Sequence, residues 1–123
     1  MIGHLCTVVI DCPDPDELAG FYEKLLTLSR QADTGEFVML RNAAGAPVVA
    51  FQRVDDHRAP RWTDPARPQQ MHLDVMVTNL DTAEAQVLAL GATLLDGSDK
   101  PIGYRVYADP VGHPFCLLTP QEP

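Results

Sequence analysis

A repeated order of elements is the feature that most constrains the fold of this chain. Residues Leu5–Ile10 form a β-branched run typical of a strand, and Asp14 then opens a capped, amphipathic helix. The same order returns later, with an alternating strand over Met71–Val77 and a second capping pattern that begins at Asp81. Each half reads as strand, helix and about three strands. The pattern predicts an α+β fold of two βαβββ modules, whose curved sheets face one another around a ligand cleft.

The two halves are separated by residues 55–70. This stretch holds three prolines, many charges and the chain's only tryptophan, which disfavours regular structure and indicates a long connection. We therefore predict a single domain over residues 1–123. Module one spans about 1–54, the crossover loop 55–70, and module two 71–123.

Composition narrows the classes of function. The chain has 123 residues, a hydrophobic fraction of 46% and a net charge of −8, which argues against a broad surface for nucleic acid or anionic membranes. Residues 1–10 lack the basic start of a signal peptide, and no apolar run is long enough to span a membrane, so we expect a cytoplasmic protein. The three cysteines (Cys6, Cys12 and Cys116) form no CxxC motif and are expected to be free thiols.

Three stretches carry a family resemblance. They are "DPDELAGFYEKLL", "HLDVMVTNLDTAEAQVLALGA" and "YADPVGHPFCLL". Together with the order of elements, they resemble the vicinal oxygen chelate superfamily, which includes glyoxalases, bleomycin-resistance proteins and extradiol dioxygenases. The stretch "PRWTDPARPQQMHLD" is similar to a glyoxalase-like subgroup. The resemblance implies the paired-module fold, a small-molecule ligand and a homodimer.

The resemblance also implies four positions for metal ligands, two in each half. They correspond here to Val8 (or Thr7, if the register shifts by one residue), Gln52, His72 and Cys116, where Cys116 replaces the family's usual glutamate. Asp74 is a further potential ligand, because residues i and i+2 of a strand share a face. Since Val8 cannot coordinate and a catalytic metal needs about three protein ligands, we predict no cofactor. The alternative is a divalent metal held by His72 with Gln52, Asp74 or Cys116.

His72 and Asp74 are the predicted catalytic residues. Asp74 would orient the imidazole of His72, which suits a general base or a ligand-gripping pair. The alternative is a structural pair at the start of the strand. Cys116 likewise has two interpretations, a reactive or metal-binding thiol and a small buried hydrophobe.

Aromatic and basic side chains are the predicted ligand-binding residues. Trp62, in the connection with Arg61 and Arg67, suits an aromatic wall beside a cation, and it also suits a loop anchor on the core or a partner subunit. The other candidates for the cleft are Phe51, Arg53, Arg105 and Tyr107.

The leading hypothesis is a glyoxalase/bleomycin-resistance-like protein that binds a small organic molecule without a complete metal site. It would sequester this ligand or use His72 as the base of a metal-free reaction. The alternative is a metal-dependent lyase, isomerase or dioxygenase. A third hypothesis is a dimeric interaction module without a small ligand.

Overall fold

The computed structural model describes residues 2–97 and 103–120. The chain divides into two compact units, Met1–His57 and Arg58–Pro123. The long connection therefore groups mostly with the second unit. The prediction of one domain over 1–123 stays a prediction, and its end points lie outside the described residues. No helix in the described ranges combines the length and apolar character that a membrane crossing requires.

The first module has the order β1 (Val8–Cys12), α1 (Pro15–Leu26), β2 (Ser29–Asp33), β3 (Phe37–Arg41) and β4 (Pro47–Arg53). Its strands form one sheet in the order β1-β4-β3-β2. Strand β1 runs parallel to β4, and the other two pairs are antiparallel. The polar strand β2 was not predicted, because its backbone is held by pairing with β3 and not by an apolar pattern.

Helix α1 begins where the sequence predicts. The side chain of Asp14 accepts hydrogen bonds from the backbone N–H groups of Asp16 and Glu17, which caps the helix. The apolar face of α1 then buries Leu18 and Tyr22, and the ring of Tyr22 stacks on Phe51 of β4 with centroids 5.3 Å apart. This aromatic contact joins the helix to its sheet.

The second module repeats the topology with β5 (Leu73–Met76), α2 (Leu80–Ala89), β6 (Thr93–Asp96), β7 (Tyr104–Ala108) and β8 (Pro114–Leu118). Its sheet has the equivalent order β5-β8-β7-β6, again with one parallel pair, β5 and β8. The predicted α+β class with two βαβββ modules is confirmed.

The N-cap of helix α2 lies two residues before the predicted cap at Asp81. Asn79 is the true N-cap, since its side chain accepts a hydrogen bond from the N–H of Thr82 at 2.9 Å. Asp81 is left free to serve another role, and its carboxylate accepts a hydrogen bond from Arg105 of β7 at 2.8 Å. The buried residues of α2 are small, Ala83 and Val87.

Candidate functional site

The strand register of the second module sets which side chains share a face. The side chains of Arg105 and Tyr107 reach Asp81 and Glu84 of α2, so they lie on the side that the helix covers. Because side chains alternate along a strand, Cys116 and its partner Val106 face the other way. We call this side, opposite α2, the site face of the second sheet.

Three polar side chains converge on the site face. Asp74 of β5 pairs directly with Cys116 of β8, and His72 lies two residues before Asp74. One ligand atom from each of the three residues lies within 4.8 Å of the others. The Nε2 atom of His72 is 3.2 Å from Oδ1 of Asp74. The structure thus brings together the two predicted catalytic residues and the cysteine that the resemblance places at a ligand position.

The carboxylate of Asp74 is the centre of this group. It is close to both the imidazole of His72 and the thiol of Cys116. The side chains of His72 and Asp74 are 41% and 54% exposed, whereas Cys116 is only 8% exposed. A ligand can therefore reach the imidazole and the carboxylate more easily than the sulfur atom.

Cys116 is held as a neutral thiol. Its burial, the negative charge of Asp74 and the hydrogen bond to that carboxylate raise the pKa of Cys116 from 9.0 to about 11. The thiolate is the reactive form of cysteine, so this environment opposes nucleophilic attack at neutral pH. Burial is the largest cause of the raised pKa, and the nearby carboxylate of Asp74 adds to it.

The same three residues have a donor set that suits a metal ion. Imidazole nitrogen, carboxylate oxygen and cysteine sulfur are all zinc ligands, which in a tetrahedral site lie about 3.3–3.8 Å apart. Atoms within 4.8 Å of one another reach that spacing by small side-chain rotations. The donors fit, but Cys116 must first lose its proton. The prediction that the protein uses no cofactor stays a prediction.

Apolar side chains continue the site face beyond the polar group. Met76 is 60% exposed and Tyr104 is 40% exposed, and both pair with Leu118. Sequence reasoning missed these residues. The alternation of side chains along a strand would have indicated them. Met76 lies two positions after Asp74, and Leu118 lies two positions after Cys116, so each shares a face with the earlier residue.

The turn before β8 fixes the start of that strand. Asp109 is buried, and its side chain accepts hydrogen bonds from the backbone N–H groups of Val111 and His113, both at 3.0 Å. Gly112 has φ +100, and an added Cβ there would lie 2.5 Å from Cβ of Ala59. The "DPVGH" turn is therefore structural, and it positions Cys116 three residues further along.

The structure places two predicted ligand-binding residues, Arg105 and Tyr107, beside helix α2, and their ligand-binding role stays a prediction. They lie on the helix side of the second sheet and not on the site face. Tyr107 is fully buried, stacks on Phe115 and donates a hydrogen bond from its hydroxyl to Glu84 at 2.8 Å. Arg105 pairs with Asp81 and with Glu84. The expected and the observed face differ because a shift of one residue along a strand moves a side chain to the other side of the sheet.

The first-module candidates are engaged within their own module. Phe51 is fully buried under α1, on Tyr22. Arg53 pairs with Glu36 at 3.6 Å. The amide of Gln52 donates hydrogen bonds to the carbonyl oxygens of Glu36 and Arg53, at 3.2 and 3.3 Å. The ligand-binding roles of Phe51 and Arg53 stay predictions.

Trp62 lies in the second unit, ahead of β5. Its side chain is partly buried, and the surrounding turn is closed by a hydrogen bond from the N–H of Arg61 to the carbonyl of Arg67, 2.8 Å long. Its ligand-binding role stays a prediction.

The model of the glyoxalase-like domain family matches residues 7–118, nearly the whole described chain. This chain belongs to the glyoxalase-like domain family. The predicted membership is thereby confirmed. No match to this chain is found among curated proteins.

Solved structures of the wider superfamily share the fold. One is a glyoxalase/bleomycin resistance protein/dioxygenase family enzyme from Burkholderia phytofirmans PsJN, with a TM-score of 0.71 and 15% identity over 95% of this chain and 98% of that one. Another is TnmS3, an antibiotic binding protein from Streptomyces sp. CB03234, with a TM-score of 0.61 and 18% identity over 98% of each chain.

A third is a mutant of the fosfomycin resistance protein FosX from Listeria monocytogenes, complexed with Mn(II) and 1S,2S-dihydroxypropylphosphonic acid. Its TM-score is 0.71 at 15% identity, over 96% of this chain and 90% of that one. At such identities the three likenesses show the fold alone.

Proposed function

We propose that this glyoxalase-like protein binds a small organic molecule on the site face of the second sheet, without a metal ion. The observation that carries the proposal is the exposed pair of His72 and Asp74, fixed at 3.2 Å beside the buried thiol of Cys116. Exposed Met76 and Tyr104 extend the same face with apolar surface. A few fixed polar groups beside apolar surface are typical of small-molecule sites.

The pair of His72 and Asp74 can act on such a ligand in two ways. The carboxylate of Asp74 lies beside Nε2 of His72, and a neutral imidazole with its proton on Nε2 has Nδ1 as an acceptor. This nitrogen can accept a hydrogen bond from a bound molecule, so that the protein sequesters it unchanged. It can instead remove a proton from the molecule as a general base. The TnmS3 likeness supports sequestration, since that relative is an antibiotic binding protein.

A thermal-shift screen of small organic molecules tests the binding proposal. A ligand present at 100 times its Kd stabilises the folded state by about 2.7 kcal/mol. We expect hits to raise the Tm of the wild type and of Leu88→Ala, an exposed position on α2. The same hits should lose most of their effect on His72→Ala and Asp74→Asn. Equal shifts in all four proteins would contradict the proposed site.

Incubation with a hit separates sequestration from catalysis. If the protein sequesters its ligand, chromatography after denaturation recovers the molecule unchanged. If His72 acts as a base, a product accumulates with the wild type and not with His72→Ala. A screen without hits would favour the third hypothesis, an interaction module.

A metal-dependent lyase, isomerase or dioxygenase is the second candidate, because His72, Asp74 and Cys116 lie close enough to hold one ion. A bound divalent metal would polarise a carbonyl or hydroxyl oxygen of the substrate. The chain's own part is to present the imidazole and the carboxylate and to release the thiol proton. The Mn(II) in the FosX complex supports this candidate.

Elemental analysis of protein purified without chelator separates the two candidates. About one metal per chain in the wild type, absent from His72→Ala, would overturn the metal-free proposal. A metal-free wild type that also fails to take up added Zn²⁺ at pH 8 would contradict the second candidate. Because Cys116 must be deprotonated, any uptake should strengthen with pH and release protons.

Dimerisation and location complete the proposal. We propose a homodimer, as the family resemblance implies, which light scattering during gel filtration can test. We also propose a cytoplasmic location, because a reducing compartment suits the free thiols of Cys6, Cys12 and Cys116.

A further inference from the structure

Residues 58–67 concentrate arginine in an acidic chain. Arg58, Arg61 and Arg67 are three of the nine lysines and arginines, whereas the whole chain carries a net charge of −8. The only carboxylate between Arg58 and Arg67 is that of Asp64. A local positive field in a negative protein favours an anion at this place.

The backbone holds Arg61 and Arg67 side by side. The N–H of Arg61 donates to the carbonyl of Arg67 at 2.8 Å, and the N–H of Arg67 donates to the carbonyl of Asp64 at 3.1 Å. The N–H of Asp64 in turn donates to the carbonyl of Arg61 at 3.0 Å. The single bond from Arg61 to Arg67 brings the two backbones together at the ends of the turn, so one small anion is within the reach of two long arginine side chains.

Neither arginine is neutralised by the described residues. Both side chains are exposed, and the ion pairs of residues 2–97 and 103–120 do not include them. The Oδ1 atom of Asp64 accepts a hydrogen bond from the N–H of Ala66 at 2.9 Å and so serves the turn itself. Nearby like charges repel, and an anion bound between them would add two attractions that offset the repulsion.

The segment directly before the turn is packed against its neighbour, and the turn carries an aromatic side chain. Ala59 packs against the turn before β8 so closely that a Cβ on Gly112 would overlap it, at 2.5 Å. Trp62 follows Arg61 directly and is partly buried. A fixed backbone reduces the ordering cost of binding, and an indole beside a guanidinium pair suits an apolar group attached to an anion.

We propose that Arg61 and Arg67 form an oxyanion site that takes the carboxylate or phosphate of a small organic molecule, with Trp62 against its apolar part. Arginine forks match carboxylate and phosphate oxygens in pairs, which gives geometric specificity beyond charge. This site goes beyond the function proposed above and does not depend on His72, Asp74 or Cys116.

The fluorescence of Trp62, the chain's only tryptophan, provides the test. Wild-type protein is titrated with inorganic phosphate and with phenyl phosphate at constant ionic strength, with sodium chloride as the blank. We expect a saturable change with both probes and tighter binding of phenyl phosphate. The matched control is Arg58→Gln, in the same segment but outside the closed turn, which should bind like the wild type.

The double variant Arg61→Gln/Arg67→Gln should bind phenyl phosphate at least tenfold more weakly, and each single variant should show part of that loss. Circular dichroism confirms folding, and Arg61→Lys/Arg67→Lys, which keeps the charge without the forks, should also bind more weakly. A wild-type response no larger than that of chloride would overturn the proposal, as would an equal loss in Arg58→Gln.

Asp74→Asn separates this proposal from the previous one. We expect its phosphate response to equal that of the wild type, because the oxyanion site does not use the site face. If Asp74→Asn abolished the response, the anion would be bound at the site face and the Arg61–Arg67 assignment would be overturned. Binding of inorganic phosphate as tight as that of phenyl phosphate would remove Trp62 from the site.

Discussion

The two modules share one pairing scheme and place different chemistry on it. In the first, Val9 lies five residues before the helix cap and pairs with Ala50 of β4. In the second, Asp74 lies five residues before its helix cap and pairs with Cys116 of β8. Equivalent positions of one topology are apolar in the first module and polar in the second. The fold therefore does not require the polar group, which supports a functional role for it.

The helices of the modules are also attached in different ways. Helix α1 buries large side chains and stacks Tyr22 on Phe51. Helix α2 buries only small residues and is joined to β7 by Glu84, which accepts from Tyr107 and pairs with Arg105. One attachment depends on apolar burial and the other on buried hydrogen bonds, so substitutions should affect the modules differently.

The largest expected effect is the loss of stability in Tyr22→Ala. Removing a fully buried aromatic ring leaves a cavity and costs about 3–5 kcal/mol in the free energy of unfolding. Urea denaturation measures the change, with Lys24→Ala on the exposed side of α1 as the control. If Val87→Ala in α2 cost as much, the two helices would not differ as described.

The polar attachment of α2 is tested by Glu84→Ala. This change leaves the hydroxyl of the buried Tyr107 without its acceptor, which costs about 1–3 kcal/mol. Tyr107→Phe removes the donor instead and should cost less, because no polar atom of Tyr107 is left unpaired. A larger loss in Tyr107→Phe, by urea denaturation, would count against this attachment.

The pH dependence of stability tests the environment of Cys116, whose pKa is raised first by burial and then by Asp74. The pKa of Cys116 is raised in the folded state, so its stabilisation is complete below pH 9.0 and is lost as the pH rises toward 11. We expect a decline on the order of 1 kcal/mol in that window, which Cys116→Ala should lack.

Thiol titration provides the companion measurement. In Asp74→Asn the pKa of Cys116 should fall, since the nearby negative charge is removed. A disulfide reagent should then label Cys116 faster at pH 9, with exposed Cys6 as the internal reference. Unchanged labelling would mean that Asp74 does not control the thiol.

The smallest effect is expected at the surface of the first module. Arg30 pairs there with Asp16, Glu23 and Asp33. Because Asp33 is partly exposed and two other carboxylates remain, Asp33→Asn should cost less than about 1 kcal/mol, and less still at high salt. A loss equal to that of Glu84→Ala, by urea denaturation, would show that this surface cluster matters as much as the buried one.

Local signals in the sequence predicted most of the fold. The cap at Asp14 and the β-branched runs were sufficient for α1 and its neighbouring strands, because caps and alternation act over a few residues. They failed at β2, where pairing with β3 makes a strand of polar residues, and at the start of α2, where Asn79 and not Asp81 is the cap. The formation of β2 depends on its pairing partner β3, and the start of α2 depends on the competition between two possible caps.

The sequence by itself determined the module pattern, the family, and His72, Asp74 and Cys116 as candidates. Only the tertiary structure decided that these three meet, because the β5–β8 register sets Asp74 beside Cys116 across a gap of 42 positions. It also decided that Arg105 and Tyr107 face α2, since a shift of one residue moves a side chain to the other side of a sheet. Register and parity result from long-range pairing, which a local pattern does not record.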